Sequence, residues 1–211
     1  MQGIDFVGIF IQFTILVASL TVHEAAHAWS ADKLGDPTAR LLGRVSLNPA
    51  VHIDPIGTIV FPLLAMISNL PLIGWANPVP VGIQHLRGNW RQKFMFIAAA
   101  GPASNLLMAV AAAAVLWIIS GGPPLETPQG FVGRTLMAFI QLNLMLAVFN
   151  MIPVPPLDGG NVLAGLVSGP VADALDRVRP YGIFILYGLM FLGVFSAVVY
   201  PLAFALMELL L

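Results

Sequence analysis

Apolar residues in this chain come in blocks about 20–30 residues long, and that length constrains its fold more than any other feature. A helix rises about 1.5 Å per residue, so each block matches a hydrocarbon core of roughly 30 Å. Of the 211 residues, 58% are hydrophobic and only 9% are charged. Soluble domains carry roughly 25% charged residues, and a chain so poor in them cannot coat a core with a polar shell. The expected class is an all-α polytopic membrane protein forming one domain. A net charge of −1 gives no footing for nucleic acid or another polyanion. The absence of cysteine excludes disulfides and thiolate metal sites. The N-terminus lacks the basic region of a signal peptide, so the first block is expected to stay in the mature protein.

The first block runs from about Ile4 to Trp29 and is closed by Gly35, Asp36 and Pro37. The second, about Ile56 to Leu72, is interrupted by Gly57, Pro62 and Pro71. A connector rich in proline and glycine follows at 74–81. The third block, Phe94 to Ser120, is rich in alanine, and the fourth runs from Phe131 to about Met151. The last, Tyr181 to Leu211, has room for one span and a tail bent at Pro201. Basic residues constrain which blocks cross, because cytoplasmic loops are enriched in Lys and Arg. If the second block dips in and returns, then Lys33, Arg40, Arg44, Arg87, Arg91, Lys93, Arg177 and Arg179 share one face, leaving Arg134 on the other. That re-entrant course is the expectation. It puts the C-terminal ends of the first and fourth blocks together, on the cytoplasmic side of the cell (inner) membrane.

Within the first block, His23-Glu24-Ala25-Ala26-His27 forms an H-E-x-x-H pattern. Residues i and i+4 lie one turn apart on one helix face, so both imidazoles can reach one tetrahedral zinc. Glu24 is placed to act as general base toward water at such a site. Ionisable groups inside a membrane helix are costly and default to functional roles. A catalytic zinc takes three protein ligands, and Asp5, Asp32, Asp36 and Glu208 compete poorly for the third place. Asp158 ends the fourth block on the same face as the end of the first, beside Gly159 and Gly160, which permit close approach. The alternative is that Asp158 caps a helix starting at Gly159. Asn105 is expected to hydrogen-bond between helices. His52 and Asp54 are expected to pair and anchor the second block, the alternative being contact with the site, and His85 to be a surface histidine. Trp29, Trp75, Trp90 and Trp117 suit an interfacial belt.

Thr21–Trp29 together with Phe149–Gly160, supported by 48–57 and 101–105, resembles the site-2 protease family, in the compact form without PDZ or CBS domains. The resemblance covers nearly the whole chain. It implies a three-helix catalytic core at about 4–30, 92–120 and 131–152. Around it lie a re-entrant or β-like segment at about 54–82 and a C-terminal membrane segment at about 181–211, giving about four to six membrane segments. It implies one catalytic Zn2+ on His23, His27 and Asp158, with Glu24 as the base. Asn150, eight residues before Asp158, is implied as a contact to the substrate backbone or oxyanion; otherwise it caps its helix. The expected substrate is a transmembrane protein or peptide in the bilayer, cleaved as in regulated intramembrane proteolysis; the oligomeric state is left open. A transporter would spread its ionisable groups through the membrane depth and often show inverted repeats. Here they concentrate at one depth. A scaffold without catalysis would not need Glu24.

Overall fold

The computed structural model describes residues 5–68, 74–124, 128 and 130–211. Ile4 at the start of the first block, and Pro71 and Leu72 at the end of the second, lie outside them. Helix α1 (Phe6–Lys33) opens where the Asp5 carboxylate accepts from Gly8 N at 2.9 Å. It outruns its apolar block by a turn, taking in Ser30 to Lys33, and stops at Gly35, whose φ is 109°. Lys33 in the last turn suits the negative end of the helix dipole. Helix α2 (Thr38–Leu41) is a single turn.

The second apolar block begins as a π-helical turn at Pro55–Val60 and continues as α3 (Phe61–Ser68). Asp54 caps its start, accepting from Ile56 N at 3.0 Å and Gly57 N at 2.6 Å. The chain then comes back to where it began. Trp75 N donates to the Gly57 carbonyl at 3.0 Å, and Thr58 Oγ1 to the Trp75 carbonyl at 2.8 Å. Asn77 N donates to the His52 carbonyl at 2.8 Å. Ser68 lies about 16 Å along the helix from Gly57, so the segment turns back on itself rather than running onward. Residues 74–82 join no ladder, and no strand forms among the described residues. The β-like form is therefore not what this segment adopts. His52 and Asp54 do not pair with each other either: His52 Nε2 meets the Ser46 carbonyl at 2.8 Å, so each residue anchors the segment separately.

Helix α4 (Trp90–Ser120) starts at an Asn89 cap and ends at Gly121, at φ 73°. It packs against α1, against α5 (Phe131–Asn150) and against α6 (Asp158–Leu166). Small residues set that closeness. Ala109, Ala112, Ala113 and Leu116 of α4 bury against Ile140 and Leu144 of α5, with Ala203 completing the cluster. Without water to expel, helices in lipid associate through such close packing.

Helices α7 (Pro170–Val178), α8 (Gly182–Phe191) and α9 (Tyr200–Leu210) complete the chain. The C-terminal bend is not at Pro201. Pro201 lies in the first turn of α9, where a missing N–H costs nothing. The helices bend by 71° across the break after Phe191, where Gly193 adopts φ 74°. Among the described residues, α1, α4 and α5 are long and apolar enough to cross a membrane, and the bent C-terminal pair makes a fourth if it is one span. Phe6, Phe10, Ile118 and Phe191 stand exposed on the outside, a surface suited to lipid.

Candidate metal centre

Ser19, His23 and His27 recur every four residues and are buried along one face of α1. That face meets three positions of α4 with the same spacing: Ile97, Gly101 and Asn105. His27 Nδ1 lies 2.7 Å from the Ile97 carbonyl, and His23 Nδ1 lies 2.6 Å from Asn105 Oδ1. Between them, Gly101 leaves the room the rings occupy. A Cβ there would stand 2.4 Å from His27 Nε2 and 2.6 Å from His23 Nε2. The two Nδ1 atoms are thus engaged, and both Nε2 atoms turn to a common point, 3.0 Å apart.

Asp158 completes that point. A helix does start here, but Leu157 is its N-cap and Asp158 is its first residue. Its Oδ2 lies 3.2 Å from His23 Nε2 and 3.3 Å from His27 Nε2. The approach depends on a tight turn between α5 and α6: a Cβ on Gly159 would lie 2.3 Å from the Met151 carbonyl oxygen. Donor atoms of a tetrahedral zinc site with bonds of about 2.0–2.1 Å stand roughly 3.3 Å from one another. The observed triangle of 3.0, 3.2 and 3.3 Å fits that requirement. Two neutral imidazoles and one carboxylate are also the donor chemistry zinc takes.

Glu24 is buried beside the first histidine, and its Oε2 accepts from Val79 N at 3.1 Å. The connector thus reaches the site through its backbone. Asn150 is placed differently. Its Nδ2 donates to the Leu146 carbonyl at 3.0 Å, one turn back in α5, and no hydrogen bond joins it to the three donors among the described residues. Asn105 acts between helices as expected, and its partner on α5 is Asn143, a residue the sequence motifs do not single out. The available signal was an amide in the apolar middle of the block, two residues after Gln141, which in lipid must find a partner. The sequence gives no sign of the contact between Val79 and Glu24, because a main-chain N–H makes it.

His85 lies on the surface as expected, and it has a partner there. Its Nδ1 lies 3.0 Å from Asp36 Oδ1, and Asp36 also accepts from Thr38 N, Thr38 Oγ1 and Gly82 N. Burial alone would raise the Asp36 carboxyl, but the Thr38, Gly82 and His85 hydrogen bonds outweigh it and hold it below its usual range. This cluster ties the far end of the connector to the end of α1. Arg44 Nη2 donates to the Asn77 carbonyl at the near end.

The comparisons with known proteins agree with this chemistry. The chain is 35% identical over 189 residues to YwhC of Bacillus subtilis, whose name provisionally places it among the zinc metalloproteases; the match covers 89% of this chain and 83% of that one. It is 29% identical over 208 residues to Rip2 of Mycolicibacterium smegmatis, named in the same way, covering 90% and 70%. The model of peptidase family M50 matches residues 126–193, the stretch that holds Asp158. No solved structure gives a significant match. Together with the apolar helices, these findings make the chain a zinc metalloprotease of membranes. It belongs to peptidase family M50, the site-2 protease family, and its cofactor is zinc.

Proposed function

We propose that the chain is an intramembrane endopeptidase that hydrolyses peptide bonds in transmembrane segments of membrane-anchored substrates, the reaction of regulated intramembrane proteolysis. His23, His27 and Asp158 hold the zinc, and Glu24 is the general base. The observation that carries this reading is the convergence of three donor atoms at zinc spacing, with Glu24 adjacent, in the middle of an apolar bundle. What zinc contributes when bound is Lewis acidity toward the attacking water and the scissile carbonyl.

The remaining steps belong to the protein. The Val79 N–H holds Glu24 Oε2, leaving Oε1 to take a proton from the water. The hydroxyl joins the scissile carbon, the C–N bond breaks, and Glu24 delivers that proton to the leaving nitrogen. Asn150 closes α5; turned away from the Leu146 carbonyl, its amide would donate to the substrate backbone or the developing oxyanion. A helical substrate hides its carbonyls in its own hydrogen bonds and has to unwind before attack. The connector at 74–82, in contact with the base through Val79, is the neighbour such an unwound segment would meet. Basic residues on one face support a multi-pass protein of the cell (inner) membrane with its site toward the cytoplasm.

Glu24→Gln tests the reading. Cleavage of a transmembrane substrate should fall by at least about 10²–10⁴-fold, the worth of a general base, while purified protein keeps one zinc per chain. Persisting cleavage, or wild-type protein without stoichiometric zinc, would refute it. The same variant, used as a trap in membranes, should retain its uncleaved substrates.

A further inference from the structure

The hydrogen bonds behind His23 run in one direction, and that direction is set by a main-chain group. Asn143 Nδ2 lies 2.9 Å from the Phe139 carbonyl, one turn back in α5. A carbonyl only accepts, so the Asn143 group facing it is the amide nitrogen. The same nitrogen donates to Ser19 Oγ on α1 at 3.0 Å. Asn143 Oδ1 therefore faces α4, where it accepts from Asn105 Nδ2 at 2.9 Å. Asn105 must then present Oδ1 to His23 Nδ1, the 2.6 Å contact. An amide oxygen also only accepts. Nδ1 thus carries a proton, which leaves Nε2 as the nitrogen free to serve a metal.

We propose that Asn105 and Asn143 are positioning residues that hold a proton on His23 Nδ1, so that Nε2 is the nitrogen offered to metal where Asp158 and His27 converge. His27 needs no such relay, because a main-chain acceptor, the Ile97 carbonyl, already sets its Nδ1. Ser19, Asn105 and Asn143 are fully buried, so no water competes for these bonds. The unsatisfied alternative would leave an amide unpaired inside the bundle, a costly state in a low-dielectric interior. The relay also joins α1, α4 and α5 at the depth of the site, coupling their packing to ligand geometry. It rests on the assignment of His23 as a zinc ligand.

The test uses the full chain in lipid nanodiscs. Nitrogen-15 NMR of the metal-free wild type should show the His23 proton on Nδ1, the signal being assigned by single-histidine replacements. Asn105→Leu removes the acceptor at nearly constant volume and should weaken zinc affinity by about 10–100-fold. Asn105→Asp restores an acceptor at the same atom and should bind zinc nearly as the wild type does. A His23 Nδ1 without a proton in the wild type, or equal zinc affinity in the Leu variant, overturns the relay. If the Leu variant fails to fold, the wild-type spectrum decides alone. A wild type that binds no stoichiometric zinc overturns the ligand assignment instead, and so separates the two failures.

Discussion

Gly101 illustrates what a single residue contributes when it has no side chain. In a helix interior glycine is worse than alanine by about 0.8–1 kcal/mol, so on propensity alone Gly101→Ala should stabilise α4. Yet a Cβ at 101 would press on both Nε2 atoms that meet Asp158. Because both rings are held at Nδ1, the overlap outweighs that gain: Gly101→Ala is expected to melt lower than the wild type even without metal, and its zinc content to drop well below one per chain, with cleavage lost. Full zinc occupancy in that variant would show that the rings can move aside at little cost. This scale also shows what the sequence reveals. His23, Glu24, His27 and Asp158 stood out because ionisable groups are rare and expensive among apolar neighbours. Gly101 could be noted only as part of a small-residue run, because its role is an absence that appears once the rings lie beside it.

At the scale of elements, the long helices were legible and the connector was not. Blocks ending at glycines or prolines placed α1, α4 and α5 to within a few residues; α1 ran further only because Ser30 to Lys33 are polar yet still helical. The connector has no periodicity to read. Its course is set by polar contacts distant in sequence: Arg44 and His52 at one end, Glu24 in the middle, Asp36 and His85 at the other. Asp36 gives this element a pH dependence of definite sign. Its carboxyl is held below the usual value in the fold, so the unfolded chain takes up the proton first. The stabilisation is fully present above the ordinary carboxylate range and is lost as pH falls through the lower folded value. Melting temperature measured between about pH 6 and pH 3 should decline, and Asp36→Asn should remove that component of the decline. The substitution should also lower stability near neutral pH, by about 1–3 kcal/mol if the Gly82 and Thr38 N–H groups are left unsatisfied. An unchanged pH profile in Asp36→Asn would mean that other carboxylates carry the effect.

The whole molecule raises the question of which way it sits in the bilayer. Composition made a membrane protein unavoidable, because 9% charged residues cannot solvate a 211-residue core. It did not fix the path, since a proline-broken apolar block can either cross or return. The structure supplies a local answer: the ends of the second block are tied together at Gly57–Trp75 and His52–Asn77. A segment whose ends meet leaves the loops on either side of it on the same face. Arg40 and Arg87 flank it, whereas Arg134 lies at the start of α5, across the full length of α4 from Arg87. The chain contains no cysteine, so each position can be replaced singly by a clean reporter. Arg40→Cys and Arg87→Cys should react with an impermeant maleimide only from the cytoplasmic side, in inverted vesicles. Arg134→Cys should react only in right-side-out cells. Labelling of Arg40→Cys and Arg87→Cys from opposite sides would require the second block to cross, and would separate the end of α1 from the face that delivers Asp158. The geometry of the metal centre and the topology of the chain are therefore one claim, because His23, His27 and Asp158 can share an ion only if α1 and α5 end at the same face.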